Sequence, residues 1–532
     1  MRDDPVRRET LAVALVCVLG GAAWAFVRGQ DLNYDQLNYH TYTSYAWLTG
    51  RTLTDLAAAQ IQTWLNPVLY VPGFLLIRYT PPVVAGMTMG ALTALNGVLL
   101  WILARRLTTG YAKTTSCWCS AFAAFVGVSG SMFLSFLGTT FGECLPPVLA
   151  AVILVVSDAE DWPRGEGAKL LGAGCCLGLA CGVKLTNLVY ALGMTVTLMV
   201  LWPFLRFRAL HLLGYAAGGV VGFAVSGGYW AAKLWTALDN PVFPFFNGIF
   251  RSVMYEPVNF QDPAYIPSSL ARAAVVYPFE WLLGFYRPSN PLFFREPRFA
   301  LIAVLLPVAL AAALARAWPR PSADPEREEA TSARNFWILC LFFLFSYGFW
   351  LTRFGVQRYL LVLEVLSGVL LLVVLGRMLR SGREVGIVMA GLAVAVVLWT
   401  RPTDWGHGSY EASWYGITHA EDPAARTLYV MVGGEPMAYV IPYLPENARF
   451  VRVGGTIPFH PAQPMGLQVA RVVYQHDGPV RSLTVATADH QRARLAEYGL
   501  QLDAASCRRF RSRLDTFWTC ALAKTPASWG AP

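Results

Sequence analysis

The stretch YLLVLEVLSGVLLLVVLGRM, residues 359–378, decides the class of this protein. Only Glu364 and Arg377 are charged in it, and leucine and valine make up most of the rest. A helix rises about 1.5 Å per residue, so a stretch of this length crosses the roughly 30 Å hydrocarbon core of a bilayer. The stretch therefore predicts a membrane-spanning helix.

Similar stretches recur along the 532 residues of the chain. Hydrophobic residues make up 55% of it and charged residues 14%, whereas a soluble domain has roughly 25% charged residues. With 13% aromatic residues and 46 Gly, the composition also differs from that of a disordered protein or a coiled coil. We predict a mainly α-helical, polytopic membrane protein. Its predicted spans, about eleven in number, are 9–27, 83–104, 116–136, 144–157, 168–183, 188–205, 210–228, 299–316, 335–351, 359–378 and 385–400.

The formal net charge of +9 comes from basic clusters between the predicted spans. These clusters are Arg7 with Arg8, Arg105 with Arg106 and Lys113, Arg206 with Arg208, the run from Arg316 to Arg334, and Arg377 with Arg380 and Arg383. The positive-inside rule places them in the cytoplasm, together with the N-terminus. An odd number of spans then places residues 401–532 outside. Because no basic stripe alternates with stacking aromatic residues, the charge does not indicate nucleic-acid binding.

Two domains follow from this reading. Residues 1–400 form the transmembrane domain, with outer loops 28–82 and 236–298, and its first span is read as an uncleaved helix rather than a signal peptide. Residues 401–532 have the composition of a soluble domain. In this region TLYVMVGG, FVRVGG and SLTVATA predict strands, and HQRARLAEYGL predicts a helix closed by Gly499, so we expect a small α/β domain.

The cysteines agree with this topology. Of the 10 Cys, eight lie within or beside apolar spans, where a free thiol acts as a small hydrophobe. The other two, Cys507 and Cys520, lie in the predicted outer domain and are candidates for a disulfide.

The motif NYDQLNYHTY, residues 33–42, follows the first span and carries the strongest candidate for catalysis. If it is helical, Asp35, Asn38, Tyr39 and Tyr42 share one face. A carboxylate flanked by Tyr and Asn suits a general base that holds a hydroxyl-rich ligand. The alternative is an amphipathic helix whose aromatic side chains lie at the headgroup level.

Four cations run against the positive-inside bias because they lie at predicted outer ends of spans: Lys184, Arg251, Arg353 and Arg358. Each one either snorkels to the interface or faces a phosphate. Lys184 follows a stripe of Gly174, Gly178 and Gly182, which predicts close helix packing.

Glu143, in GTTFGECLPP, is a candidate partner or metal ligand, and the alternative is an ordinary loop carboxylate. Asp35 and Glu143 alone are too few ligands to establish a metal site. A divalent metal therefore stays an open alternative, and no cofactor is assigned.

Taken together, the acidic first-loop motif, GLACGVKLTN, NPVFPFFNGIFRS and QRYLLVLE resemble motifs of bacterial GT-C superfamily glycosyltransferases. The resemblance covers residues 1–400 in architecture, and D-x-x-N-Y-H at residues 35–40 matches poorly characterised bacterial members. It implies a polytopic enzyme of the bacterial inner membrane. This enzyme would transfer a hexose or pentose, with inversion, from a polyprenyl-phosphate donor to an extracytoplasmic glycan, lipid or cell-envelope polymer.

The resemblance also implies roles for single residues. Asp35 is the catalytic candidate and Asp31 the second choice, while Glu143 departs from the Asp that is frequent at the second acidic position. Lys184 and Arg358, with Arg251, would hold the donor phosphate. The remaining predicted substrate-binding residues are Asn38, Tyr39, His40, Asn187, Asn240, Asn247 and Tyr359.

The main alternative function is that of a polytopic transporter or flippase for a lipid-linked or sugar substrate, and a membrane scaffold is the third reading. A transporter would more often carry ionisable residues near mid-membrane and internal repeats. The charged residues of this chain cluster instead at the ends of spans, which favours the transferase.

Overall fold

The computed structural model describes residues 5–158, 165–204, 208–317, 327–418, 426–455, 459–485 and 488–525. Arg206 and part of the basic run 316–334 lie outside these residues. The chain divides into two compact units. The first comprises Met1–Arg28, Gly86–Gly228 and Gln261–Trp405, and the second comprises Gly29–Ala85, Tyr229–Phe260 and Gly406–Pro532.

The α-helices are, in chain order, α1 (Pro5–Arg28), α2 (Thr41–Leu48), α3 (Val71–Tyr79), α4 (Pro82–Ala94), α5 (Asn96–Leu107), α6 (Lys113–Val128), α7 (Ser131–Phe136), α8 (Leu145–Val156), α9 (Gly165–Val183), α10 (Leu188–Leu201), α11 (Ala209–Phe223), α12 (Tyr229–Leu238), α13 (Asn247–Phe250), α14 (Leu270–Leu283), α15 (Arg298–Ala317), α16 (Arg327–Arg353), α17 (Leu361–Met378), α18 (Gly382–Trp399), α19 (Pro464–Gln475) and α20 (Ala488–Ala496). The strands are β1 (Gln30–Asp31), β2 (His407–Gly408), β3 (Leu428–Val432), β4 (Arg449–Val453), β5 (Val480–Leu483), β6 (Leu500–Leu502), β7 (Arg508–Arg511), β8 (Thr516–Thr519) and β9 (Leu522–Lys524).

Eight helices within the described part of the chain are long and apolar enough to cross a membrane. They match eight of the predicted spans, and the other three spans, 116–136, 144–157 and 188–205, correspond to shorter helices. The mainly helical membrane fold is therefore confirmed, and the count of eleven spans stays a prediction.

The predicted span 116–136 is interrupted in the structure. Helix α6 ends at Val128 and α7 begins at Ser131, because Gly130 between them is extended at φ −65° and ψ 152°. The predicted span 210–228 is longer than expected, since a π turn at Ala224–Gly228 joins α11 to α12.

Small residues bring α9 and α11 into close contact, as the glycine stripe predicts. A Cβ atom built on Gly174 would lie 1.9 Å from the carbonyl oxygen of Tyr215, and one on Gly178 would lie 2.1 Å from that of Gly219. Only glycine permits such backbone contacts.

The second unit contains a three-stranded parallel sheet in the order β4–β3–β5. Helix α19 connects β4 to β5 and packs Val469, Ala470 and Val473 into the apolar core of this unit. The strands predicted in TLYVMVGG and FVRVGG and the helix before Gly499 are therefore confirmed, and the C-terminal part has the expected α/β character. The strand predicted in SLTVATA lies instead at Val480–Leu483 and shares only Ser482 and Leu483 with that motif. Cys507 and Cys520 form a disulfide in the structure.

The division into units differs from the predicted domains 1–400 and 401–532. Residues 29–85 and 229–260 belong to the same compact unit as the C-terminal part. The first-loop segment is attached there by backbone pairing, since β1 pairs with β2 and Leu56 bridges to Val451 beside β4. Hydropathy alone cannot predict such pairing between segments about 400 residues apart.

Candidate active site

The first-loop motif is helical and buried. Residues Gln36–His40 form a π turn directly after Asp35, and α2 continues from Thr41. Asp35 is 8% exposed, and the hydroxyl of Tyr39 donates to its carboxylate at 3.2 Å. Asp35 and Tyr39, four residues apart, are thus in contact through this hydrogen bond. π turns are rare and occur frequently at functional sites.

Aromatic packing fixes the residues beside Asp35. The His40 ring stacks on Tyr70 with centroids 4.0 Å apart, and Tyr39 meets both rings edge-on. Such contacts orient the rings as well as burying them. Tyr39 is therefore held in the position from which it donates to Asp35.

Two further residues of the predicted site lie in the same segment. Asn38 is fully buried and donates to Ala59 O and Gln62 Oε1, both at 3.3 Å. Asp31 is also fully buried, on β1, and accepts from the side chain of Asn33 at 2.7 Å.

Tyr42, the fourth residue predicted on this face, has a different hydrogen-bond partner from Tyr39. Its hydroxyl donates to Asp55 at 3.0 Å, and Asp55 is also paired with Arg51 at 2.8 Å. Burial raises the pKa of Tyr42 well above its usual value, and the neighbouring Asp55 raises it further.

Sequence reasoning missed the residues that support this motif. Tyr34 donates to Gly434 O at 3.0 Å, and Gln60 donates to the same oxygen at 2.9 Å. Arg452 is fully buried and donates to Ala58 O, Gly433 O and Glu435 O at 2.9–3.1 Å. Burial lowers the pKa of Arg452 to about 10. No sequence pattern signals these contacts, which join the first-loop segment to the glycine turns that follow β3 and β4.

The predicted residues of the 236–298 loop have local partners. Asn247 donates to Ser252 O, Tyr255 O and Glu256 O, and Asn240 donates to Phe245 O. Both side chains are fully buried, and these bonds account for them without a ligand. Arg251 is exposed and has a left-handed backbone at φ 57°.

In the first unit, Lys184 and Glu143 form an ion pair. The Lys184 ammonium also donates to Gly142 O at 3.0 Å. The Glu143 side chain is 5% exposed and that of Lys184 is 15% exposed, so the pair is mostly shielded from water. The predicted partnership of Glu143 with a cation is therefore present in the structure.

Arg358 and Tyr359 adjoin this pair. The Arg358 guanidinium lies 5.0 Å from the Tyr359 ring centroid and 5.9 Å from that of Phe141, and it donates to the Tyr359 hydroxyl at 3.0 Å. The Lys184 ammonium lies 5.7 Å from the same Tyr359 ring. Two cations thus share one aromatic side chain, although Lys184 and Arg358 are far apart in sequence. We call Phe141, Glu143, Lys184, Arg358 and Tyr359 the cationic cluster.

Asn187 supports the turn that carries Lys184. It is 1% exposed and donates to Ala180 O and Lys184 O, both at 3.1 Å. These carbonyls lie at the end of α9, where intrahelical donors run out. Arg353 ends α16 with an exposed side chain and stands apart from the cluster's contacts.

A second polar group of the first unit, also missed by sequence reasoning, consists of Glu296, Arg298 and Glu364, all fully buried. Arg298 pairs with Glu296 at 2.7 Å and donates to Val126 O and Ser129 Oγ. The only signal in the sequence is a single Glu inside the apolar stretch 359–378. No group of three or more His, Cys, Asp or Glu within the described ranges could hold a metal ion.

The chain is similar along its length to the crystal structure of ArnT from Cupriavidus metallidurans bound to undecaprenyl phosphate. The sequence identity is 14%, the TM-score is 0.50, and 98% of each chain is covered. The chain has the fold of ArnT. The crystal structure of the same ArnT in the apo state covers the same shares at 14% identity, with a TM-score of 0.45. No family model and no curated protein matches the sequence.

The ArnT likeness supports the predicted fold, a mainly helical membrane protein with a small C-terminal part that contains strands. It extends over the C-terminal strands as well as the helices, since coverage is nearly complete. The motif resemblance alone concerned residues 1–400, so the fold now accounts for the C-terminal part too.

Proposed function

We propose that this protein is a membrane glycosyltransferase that moves a sugar from a polyprenyl-phosphate donor to an extracytoplasmic acceptor. The observation that carries the proposal is the cationic cluster, in which Lys184 and Arg358 share the ring of Tyr359. The ArnT fold supports it, because the similar ArnT structure is bound to undecaprenyl phosphate.

The cationic cluster suits the phosphate of the donor. Lys184 and Arg358 are positive and Glu143 is negative, so the cluster keeps one net positive charge. Arg358 offers a planar fork of donors that matches phosphate geometry, and Lys184 offers a compact point charge. Cations fixed in a mostly dry site stabilise the negative charge that develops on a leaving phosphate.

The first-loop motif suits the acceptor. Asp35 would take the proton of an acceptor hydroxyl while that oxygen attacks the anomeric carbon opposite the phosphate. The bond between the sugar and the phosphate oxygen breaks, the new glycosidic bond forms, and the anomeric configuration inverts. The products are the glycosylated acceptor and the polyprenyl phosphate. Tyr39 would keep Asp35 oriented through its hydrogen bond at 3.2 Å.

The location follows from the same proposal. A lipid-linked donor requires a bilayer. Eight helices of the described residues are long and apolar enough to cross one. We assign the protein to the bacterial inner membrane, with a cytoplasmic N-terminus and with residues 401–532 outside, on the basis of the basic clusters.

The test is a transfer assay on the purified full chain with a panel of polyprenyl-phosphate sugars. Lys184→Met and Arg358→Met should each reduce transfer about 100-fold, because each removes a charge that acts on the leaving phosphate. Arg353→Met is the matched control, since Arg353 is an exposed arginine five residues before Arg358.

Equal activity of Arg358→Met and wild type, or an equal loss in Arg353→Met, would count against the cluster as the phosphate site. Binding of the lipid donor without any transfer to a broad panel of acceptors would instead favour the transporter or flippase alternative.

A further inference from the structure

The motif QRYLLVLE, residues 357–364, ends in a buried carboxylate that the proposed reaction does not use. Glu364 is fully buried in the first turn of α17. Its Oε1 accepts from the backbone N–H of Met132 at 3.0 Å and of Phe133 at 2.8 Å. A second carboxylate, Glu296, accepts from the N–H of Ser131 at 2.9 Å. The first three N–H groups of α7 thus all end on carboxylates.

Helix α7 needs these acceptors. It has six residues, and an isolated helix of that length is not stable. The first N–H groups of any helix have no partner within the helix, and such groups are costly to bury unpaired. Glu364 and Glu296 therefore fix where α7 begins.

The carboxylate lies directly against the chain at this junction. A Cβ atom on Gly130 would be 2.1 Å from Glu364 Oε1, so only glycine fits there while Glu364 keeps its position.

Helix α7 leads into the segment that supplies Phe141 and Glu143 of the cationic cluster. Phe136, its last residue, stacks on Phe141 with centroids 4.8 Å apart and planes 17° apart. The Phe141 ring lies beneath Arg358, and the next residue, Gly142, accepts from Lys184 through its carbonyl oxygen. Helix α7 is thus connected to both cations by contacts, through Phe141 to Arg358 and through Gly142 to Lys184.

We infer that Glu364 is a positioning residue for the cationic cluster: it anchors α7 and thereby sets where Phe141, Gly142 and Glu143 meet Arg358 and Lys184. This inference rests on the proposed function, since it gives the anchor a role in lipid-phosphate binding. The motif 357–364 then has two roles. Arg358 and Tyr359 belong to the cluster, and Glu364 anchors α7, which leads to Phe141 and Glu143.

The test measures binding of undecaprenyl phosphate to the full chain in detergent, on the folded, monodisperse fraction of each variant. Glu364→Met keeps the length of the side chain and removes both acceptors, so the Kd should rise about tenfold or more. Glu364→Gln keeps one oxygen for the N–H groups of Met132 and Phe133, so its Kd should stay within roughly threefold of wild type.

Gly130→Ala perturbs the same junction from the other side and should behave like Glu364→Met. The matched control is Gly391→Ala on α18, where a Cβ atom meets nothing within 4 Å. Its Kd should equal that of wild type. In the transfer assay, Glu364→Met and Gly130→Ala should raise the KM for the donor more than they lower kcat, a split that general loss of folded protein would not produce.

The outcomes separate this inference from the proposed function. If wild type and Lys184→Met bind undecaprenyl phosphate equally, the phosphate site itself is wrong. If Lys184→Met weakens binding but Glu364→Met and Gly130→Ala do not, the cluster stands and the positioning role is refuted. If Glu364→Met does not fold, Gly130→Ala decides by the same criterion.

Discussion

The contact between α9 and α11 predicts a large effect from a single methyl group. Gly178→Ala would place a Cβ atom 2.1 Å from the carbonyl oxygen of Gly219 and 2.9 Å from the backbone nitrogen of Phe223. Ordinary van der Waals contact begins at 3.4 Å, so the two helices must separate by more than 1 Å. No rotamer change can relieve the clash, because both neighbouring atoms belong to the backbone.

The magnitude follows from two opposing terms. Overpacking costs about 1–3 kcal/mol, and a clash between backbones belongs at the upper end, about 3 kcal/mol. Replacing Gly by Ala within a helix recovers about 1 kcal/mol of helix propensity. The net loss in the free energy of unfolding should therefore be about 2 kcal/mol. Lys184 lies six residues further along the chain, and a displacement of about 1 Å at a binding residue can cost roughly 100-fold in rate.

Gly172→Ala is the matched control on the same helix, since its Cβ atom would lie 3.4 Å from Leu154 Cδ1, in ordinary contact. The assay is the half-life of the folded full chain in detergent at a fixed elevated temperature, followed by size-exclusion chromatography. Gly178→Ala should lose its folded fraction much faster than wild type, and Gly172→Ala should match or exceed wild type. Equal half-lives for the two variants would refute the close-packing argument.

Three further predictions concern the second unit and the topology. Asp35→Asn removes the proposed base but keeps its size, so transfer should fall about 100-fold while the thermal half-life stays that of wild type; near-normal transfer would pass the role to Asp31. The Cys507–Cys520 disulfide closes a loop with a sequence separation of 13, so its reduction should lower the free energy of unfolding by about 3 kcal/mol in the chain-entropy model. Intact-mass analysis after alkylation without reductant should find no free thiols at these positions. Alkaline phosphatase fused after Pro532 should be active if residues 401–532 lie outside the cytoplasm, and an inactive fusion paired with an active cytoplasmic reporter would reverse the assigned sidedness.

Local pattern predicted much of the fold. The glycine stripe on α9 predicted its packing, because spacing by four residues places Gly174, Gly178 and Gly182 on one face of a helix. The strands β3 and β4 were predicted from β-branched runs that end in glycine turns, and β5 was predicted from the run SLTVATA. These features depend on neighbours in sequence, and a sequence displays such neighbours directly.

The candidate site was predicted only in part, for a physical reason. Lys184, Glu143 and Arg358 were chosen as charges at the ends of spans, and the structure brings all three into one cluster around Tyr359. Asn240 and Asn247 were chosen through the family resemblance, yet their side chains organise their own loop. Residue type and sidedness do not distinguish an amide that binds a ligand from one that binds nearby backbone groups.

Hydropathy also did not predict which apolar helices are buried inside the protein and which lie at its surface. Within the stretch Gln357–Met378, 83% of an 18-residue apolar window is buried inside the protein. The corresponding share for Val6–Arg28 is 11%, although both stretches are strongly apolar. In a bilayer, lipid and protein interior are equally apolar solvents for leucine, so composition does not separate a central helix from a peripheral one. Glu364 was the informative exception, because a lone acid at membrane depth requires donors nearby.

That requirement also explains why an apolar span breaks at residues 129–130. A helix that ends in the buried interior leaves carbonyl groups without intrahelical partners, and the helix that follows leaves N–H groups, each costly to bury unpaired. Here Arg298 donates to Val126 O and Ser129 Oγ at the end of α6, while Glu296 and Glu364 accept from the start of α7. One buried cation and two buried acids thus supply both kinds of missing partner. Gly130 makes the break sterically feasible, and the charged residues stabilise it because they pair the backbone groups that the break exposes.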